Sequence, residues 1–178
     1  VQVPGLPVGW GAGRLRQALI DGAGVQPGER VLDVSWGRHA AFALALARQA
    51  PQAELHVLVP EVARGAAALH TRAPAVQCLL GPVWALDVTG PRFDRLVGWL
   101  PLHGMGVSDR LRALARMRCL LRAGGELHLT HATHRRWLVA ALATLGDPHD
   151  AQASARRAAE HETDLVDQLR QAGFRHVQ

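Results

Sequence analysis

The chain has 178 residues, of which 48% are hydrophobic, and its net charge of +5 comes from arginine alone because the sequence holds no lysine. This length and apolar content suit one domain with a buried core and exclude a disordered or fibrous protein. No apolar run is long enough to span a bilayer and the first residues form no signal peptide, so we expect no membrane contact and a cytoplasmic location. Cys78 and Cys119 fall in a predicted strand and a predicted helix, where we expect small buried side chains without a disulfide.

Short β-type runs alternate with helical patterns along most of the chain. We expect residues 1–29 to form a lead-in with a short helix, residues 30–146 the alternating core, and residues 147–178 a polar helix followed by a final strand that begins at Gly173. The predicted strands cover residues 30–34, 54–59, 75–80, 93–100 and 126–130. This alternation predicts an α/β fold, with a mostly parallel sheet, helices on both faces and an incomplete last hairpin.

The stretch VLDVSWGRH, residues 31–39, joins an apolar strand that ends in a carboxylate to the turn before a helix. Strand, turn and helix form the first half of a βαβ unit. Ligands bind at the carboxyl edge of such sheets, so the residues of this turn are candidate ligand contacts. Asp33 has a second possible role, which is to accept hydrogen bonds from the turn itself.

This stretch resembles the first motif of class I S-adenosylmethionine-dependent methyltransferases, in which an acidic residue is followed by three alternating glycines. Asp33 and Gly37 match the motif, whereas Ser35 and His39 stand at two of the glycine positions. The glycines of that family let the backbone approach the cofactor, because a Cβ would intrude on the ligand. The resemblance implies a Rossmann-like methyltransferase fold, S-adenosylmethionine as cofactor, and cofactor contacts from Asp33, Ser35 and Gly37.

A second departure from the family concerns the acidic residue that holds the cofactor ribose at the end of the second strand. Val59 stands at that position in this chain. Glu61 lies two residues later and is the candidate substitute, although it also suits the first turn of a helix that Pro60 opens.

The segment FDRLVGWLPLHGMG, residues 93–106, resembles the fourth strand and following loop of the guanine-N2 methyltransferases of small-subunit ribosomal RNA. Their motif after this strand is Asn-Pro-Pro-Phe-His, of which only Pro101 and His103 are present here, and Trp99 replaces the base-binding amide. His103 follows the fourth strand at the edge where such sheets bind ligands, so it is the candidate general base. A polar loop histidine without a catalytic role is the alternative.

Two further groups of residues could bind ligands. His128, His131 and His134 are spaced by threes, but strand alternation sends the first two to opposite faces, so we expect no metal site. A set of arginines suits either an RNA phosphate-binding surface or an ordinary solvated face. These arginines are Arg110, Arg112, Arg116, Arg118, Arg122, Arg135 and Arg136.

Loss of both the glycine turn and the ribose acid predicts a methyltransferase-like domain whose cofactor site is eroded. We expect such a domain to be a non-catalytic supporting or RNA-binding module. Its expected partners are RNA, a second methyltransferase domain or another copy of this chain. The alternative is an active class I methyltransferase that acts on RNA or on a small molecule.

Overall fold

The structure is a computed structural model that describes residues 12–35, 40–59, 71–90, 92–102, 105–130 and 165–177. The strands are β1 (Arg30–Asp33), β2 (Glu54–Val59), β3 (Gln77–Leu80), β4 (Phe93–Trp99) and β5 (Leu121–Thr130). The helices are α1 (Ala12–Ala23), α2 (Ala40–Gln49) and α3 (Val107–Leu120), with a 3-10 turn at Val83–Ala85 and further helical residues at 165–171.

All five strands run parallel in one sheet, in the order β3-β2-β1-β4-β5. Each parallel pair needs a crossover connection, and among the described residues α2 supplies the crossover from β1 to β2 and α3 the crossover from β4 to β5. The predicted α/β class with a parallel sheet is therefore confirmed. Among the described residues, no helix has both the length and the apolar content needed to cross a membrane.

The sheet separates two hydrophobic cores. On one face, Leu19, Phe42 and Leu46 of α1 and α2 pack with Val57 and Val97, and we call this the α1-side core. Alternate residues of the same strands point the other way because side chains of a strand alternate between faces. Helices on both faces therefore follow from strands that are apolar on both faces.

The opposite face carries the α3-side core. Leu32 and Leu58 of the sheet pack there with Leu114 of α3, Leu169 of the C-terminal helical residues, and Phe174. Each fully buried side chain of this size contributes about 1.5 to 3 kcal/mol relative to leaving it in water.

An arginine, a glutamate and a histidine form a clasp between the amino ends of β1 and β2. Arg30 Nε donates to Glu54 Oε2 at 2.8 Å, and His56 Nε2 lies 3.0 Å from Glu54 Oε1. Phe93 packs against both, with its ring centroid 5.6 Å from the Arg30 guanidinium and 5.2 Å from the His56 ring. Since His56 alternates with residues of the α1-side core, this first clasp faces the α3 side.

The same three residue types form a second clasp between β4 and β5. Arg95 is in register with Glu126 and contacts its carboxylate at 2.5 Å, and His128 Nε2 lies 3.0 Å from the same oxygen. This clasp faces α1, where Arg95 also donates to the carbonyl of Ala23 at 2.7 Å. The first clasp lies at the amino ends of β1 and β2, the second lies within β4 and β5 on the opposite face, and neither includes the last residues of these strands.

The predicted strand at residues 173–177 is wrong, because this segment ends a helix instead. Gly173 has a φ of 87°, and the amides of Gly173 and Phe174 donate to the carbonyls of Arg170 and Leu169 at 2.9 and 3.0 Å. This is the Schellman arrangement, in which the residue after the glycine makes an apolar contact with the helix. Phe174 accordingly enters the α3-side core beside Leu169.

Three smaller features concern the two ends of α3 and the cysteines. The N-cap of α3 is Gly106, without a side-chain cap, and Ser108 lies inside the first turn. The helix ends at Leu120 and β5 begins at Leu121, before the predicted start at residue 126, so the strand includes Gly124 and Gly125. Cys119 is exposed on α3, where we expected a buried side chain, and Cys78 is half-buried.

Candidate functional site at the carboxyl edge

The strand order reverses between β1 and β4, which are neighbours in the sheet. The chain leaves β1 toward β2 on one side and leaves β4 toward β5 on the other, and open α/β sheets bind their ligands in the crevice at this reversal. The described residues that lie there are Asp33 and Ser35 at the end of β1, Trp99 at the end of β4, and Thr130 at the end of β5.

Asp33 is the last residue of β1 and is only 2% exposed. Its Oδ1 atom accepts a hydrogen bond from the Ser35 backbone amide at 2.8 Å, so the carboxylate closes the turn after the strand. Burial raises the pKa of Asp33 to about 6, against the lowering effect of hydrogen bonds from the Ser35 side chain and backbone. The protein therefore keeps a costly buried carboxylate at the edge of the sheet.

Ser35 is 4% exposed and joins the ends of the two central strands. Its Oγ atom accepts a hydrogen bond from the Trp99 amide at 2.7 Å, and the Val34 amide donates to the carbonyl of Val97 at 2.9 Å. The serine hydroxyl thus extends the pairing of β1 and β4 beyond the last regular residue of β1. A glycine at position 35 could not make this link, because it has no side-chain oxygen.

The end of β4 is packed tightly against the same turn. A Cβ at Gly98 would lie 2.7 Å from Pro101 Cγ and 2.8 Å from Val34 Cγ2, so only glycine fits there. Leu100 has a φ of 51°, a strained value for a residue with a side chain, and its amide donates to Thr130 Oγ1 at 3.0 Å. This turn folds the proline ring back over the strand.

Apolar side chains fill the β4 end. Trp99 belongs to the α1-side core and Leu102 to the α3-side core, while Leu100 packs against the edge of the former. Trp99 stands where the resembling ribosomal RNA enzymes carry a base-binding amide, and its side chain is 8% exposed. The described residues 99–102 therefore present no polar side chain that could hold a nucleobase.

Arg16 brings a positive charge to this edge. Its guanidinium carbon lies 6.0 Å from the Trp99 ring centroid, at the limit for a cation–π contact. Arg16 was missed by sequence reasoning because it is one of two arginines on an ordinary amphipathic helix. Thr130 was missed for a similar reason, since no motif distinguishes a threonine at the end of a strand.

The structure brings together two of the predicted site residues, Asp33 and Ser35. The other three, Gly37, Glu61 and His103, lie outside the described residues. Among the residues that the structure does describe, no group of three metal-ligating side chains comes together. His128 instead pairs with Glu126 in the second clasp, and burial lowers its pKa.

The predicted arginine surface is only partly available. Arg110 is buried, Arg122 forms an ion pair with Asp94, and Arg118 donates to the carbonyl of Gly173 at 3.4 Å. Arg112 is exposed and Arg116 is half-buried, while Arg135 and Arg136 lie outside the described residues.

Comparisons with known proteins agree with the fold of this chain. No protein-family model matches the sequence, and no curated protein sequence matches it either. Among solved structures, a candidate O-methyltransferase of Nostoc punctiforme superimposes with a TM-score of 0.57 at 22% identity, over 92% of this chain and 50% of its own. The chain thus spans about half the length of that protein.

Two other solved structures are similar and were determined with S-adenosylhomocysteine bound. Coclaurine N-methyltransferase superimposes with a TM-score of 0.55 at 18% identity, over 66% of this chain and 35% of its own. The 1,6-didemethyltoxoflavin-N1-methyltransferase of Burkholderia thailandensis does so with a TM-score of 0.50 at 24% identity, over 65% of this chain and 49% of its own. The five-stranded parallel sheet and these similarities show that the chain has the Rossmann-like fold of class I S-adenosylmethionine-dependent methyltransferases.

Proposed function

We propose that this chain is a methyltransferase-like domain whose cofactor site is closed, and that it supports a partner domain without transferring methyl groups. The observation that carries the proposal is the hydrogen bond from the Trp99 amide to Ser35 Oγ, at 2.7 Å across the point where the strand order reverses. A crevice that would admit a cofactor between the ends of β1 and β4 is bridged there by the protein's own atoms.

The neighbouring side chains support the same conclusion. Asp33 Oδ1 is occupied by the Ser35 amide, so the acidic residue of the motif serves the turn. Pro101 packs over Gly98, and apolar side chains continue to Leu102. The described residues of this edge thus support a site that does not suit S-adenosylmethionine, whose polar amino acid moiety needs unoccupied hydrogen-bonding groups.

A protein partner is favoured over RNA by the surface of the described residues. The arginines expected to bind phosphate are in part buried or paired, as Arg110 and Arg122 show. By contrast, Leu80 at the carboxyl end of the edge strand β3 is 62% exposed and offers apolar contact area. The likeness to ribosomal RNA guanine-N2 methyltransferases supports a second methyltransferase domain as that partner.

Calorimetric titration of the full chain tests the proposal, with S-adenosylmethionine and S-adenosylhomocysteine each raised to the millimolar range. We expect no binding by a chain that circular dichroism shows to be folded. Micromolar affinity for either ligand would contradict the closed site. The variant Ser35→Gly removes the bridging hydroxyl and restores the motif glycine, so any gain of binding by this variant would locate the closure at Ser35.

An active class I methyltransferase is the second candidate, and the buried Asp33 carboxylate favours it. Burial raises the pKa of Asp33 to about 6, and perturbed carboxyl groups concentrate at functional sites. In this case Asp33, Ser35, Gly37 and Glu61 would hold the cofactor, which supplies an already activated methyl group, and His103 would act as base toward the substrate. The same titration separates the two candidates, because this one requires binding by the wild-type chain that Asp33→Asn weakens.

A further inference from the structure

Arg16 differs from the other half-buried arginines at the sheet. Arg30 and Arg95 each contact a carboxylate, with Glu54 at 2.8 Å and Glu29 at 2.7 Å from their Nε atoms. Arg16 is also half-buried, but no carboxylate of the described residues lies within ion-pair distance of it. Its cation rests on the Trp99 ring instead.

A half-buried guanidinium that has no carboxylate partner in the described part of the chain is costly, because burial removes water that would otherwise solvate the charge. The aromatic face compensates only in part, since a cation–π contact contributes about 0.5 to 2 kcal/mol. The planar fork with its five N–H donors is left without an acceptor among the described residues. Arg16 therefore has the donors for an ion pair but no carboxylate acceptor among the described residues.

The position of Arg16 is the second observation. Trp99 is the last residue of β4, and its amide is bound to Ser35 at the end of β1. Arg95, at the other end of β4, contacts the last residue of α1, Ala23. The helix therefore runs antiparallel to β4 and carries Arg16, near its beginning, to the carboxyl edge where α/β sheets bind ligands.

We infer that Arg16, held on the face of Trp99 at the carboxyl edge of β4, binds the oxyanion of a small-molecule ligand, either a phosphate or a carboxylate. The guanidinium fork matches the geometry of both groups and can bind them through two parallel hydrogen bonds. The half-buried position of Arg16 beside Trp99 restricts the side chain before the ligand arrives, so less conformational entropy is lost on binding.

This inference goes beyond the proposed function and does not depend on it. The closure proposed above concerns the crevice between β1 and β4. It does not involve the α1 side of the same edge, where Arg16 lies. A cation at this place favours an anionic ligand, because opposite charges attract strongly in a partly desolvated site. A chain of this fold could thus bind an anionic ligand while not binding S-adenosylmethionine.

Titration of the full chain with inorganic phosphate tests the inference. Binding is measured by the NMR signal of the Trp99 indole N–H. A parallel titration with acetate tests a carboxylate, and sodium chloride at equal ionic strength controls for screening. We expect a saturable shift of the Trp99 signal with phosphate or with acetate, and the more effective anion identifies the class of ligand. Shifts that are the same for all three salts and do not saturate would overturn the inference.

Two variants on the same helix sharpen the experiment. Arg16→Met removes the fork but keeps an apolar stem, and we expect it to weaken anion binding by about tenfold or more. Arg14→Met removes the same charge from an exposed position two residues away, and we expect a change of less than about twofold. Equal losses in both variants would show a general charge effect and contradict a site at Arg16.

A third variant keeps the experiment decisive if Arg16→Met fails to fold. Arg16→Lys retains the charge but not the planar fork, so we expect weaker, still saturable binding. Complete loss of the Trp99 response in a folded Arg16→Lys chain would also support recognition by the fork. A lysine variant with unchanged affinity would contradict it. The outcome is independent of the cofactor titration, because the ligands and the measured signals differ.

Discussion

Asp33 and Ser35, two residues apart, both make hydrogen bonds that hold the turn after β1. A carboxylate after a buried strand is suited to a ligand, but Asp33 here accepts a hydrogen bond from the backbone two residues ahead. Ser35 in turn uses its hydroxyl to bind the next strand at Trp99. Asp33 Oδ1 and Ser35 Oγ both accept hydrogen bonds from backbone amides of the protein, so the turn links β1 to β4.

The charge of Asp33 should make stability depend on pH in an unusual direction. Its pKa is about 6 in the folded chain and 3.8 as the ordinary value, so the folded chain binds the proton more tightly. Stability from this group is therefore greatest below pH 3.8 and falls as pH rises toward 6, by about 3 kcal/mol in total. Asp33→Asn removes this penalty, and we expect the variant to be more stable than wild type at pH 7.5.

Chemical denaturation at pH 4.5 and at pH 7.5 measures this effect as the difference between variant and wild type. Asp87→Asn is the control, because hydrogen bonds from Thr89 lower the pKa of Asp87 and the loss of its charge should not stabilise the chain. A wild-type chain as stable as Asp33→Asn at pH 7.5 would mean that the carboxylate has a compensating partner.

At the scale of elements, the two clasps have similar chemistry on opposite faces of the sheet. In each, an arginine of β1 or β4 pairs in register with a glutamate of the neighbouring strand, β2 or β5, and that glutamate contacts a histidine two residues later. Glu-Leu-His occurs in both β2 and β5, over 54–56 and 126–128. The side-chain period of two explains why glutamate and histidine lie on the same face.

The ion pair between Glu29 and Arg95 should contribute measurably to stability because both side chains are only 16% exposed. Burial raises the pKa of Glu29, but hydrogen bonds from Arg95 and from the Gln26 backbone outweigh it, so the pKa lies below 4.5. We expect Glu29→Gln to lower the free energy of unfolding by about 1 to 2 kcal/mol above pH 4.5, and by less as pH falls.

Urea denaturation of Glu29→Gln at pH 7 checks this expectation against a matched exposed pair. Asp167 and Arg170 are 3.3 Å apart with side chains about two-thirds exposed, so Asp167→Asn should change stability by less than about 0.5 kcal/mol. Equal effects of the two variants would show that burial of the Arg95 pair does not matter.

For the whole molecule, the C-terminal segment completes the core on the α3 side. Phe174 is buried beside Leu169, and the turn at Gly173 directs it there. The face of the sheet that Leu32 and Leu58 form is thus covered by residues from α3 and from the last part of the chain. Residues far apart in sequence therefore complete the α3-side core.

Removing the Phe174 ring should reduce the stability of the whole molecule. We expect Phe174→Ala to cost about 3 kcal/mol, from lost burial and from the cavity it leaves, and to lower the melting temperature by several degrees. Arg175→Ala, at the exposed neighbouring position, is the control and should leave the melting temperature almost unchanged. A small effect of both substitutions, measured by thermal denaturation, would show that this segment does not support the core.

Much of the fold was predictable from local patterns. The strands at 30–34 and 54–59 were predicted within one residue because short apolar runs between helices have few other structures. The final strand was not, because Gly173-Phe174 suits a strand and a helix cap equally, and only contact with Leu169 decides between them. The start of β5 was predicted too late, at residue 126, because tertiary pairing draws Leu121 into the strand.

The sequence by itself determined the alternation of strands and helices and the acidic turn at Asp33, since both depend on residues close together in the chain. Only the tertiary structure decided how the turn is used, because the partner of Ser35 lies 64 residues away at Trp99. The same holds for Arg16, whose place at the carboxyl edge depends on the direction in which α1 crosses the sheet. Long-range packing fixes such partners, and no local pattern encodes them.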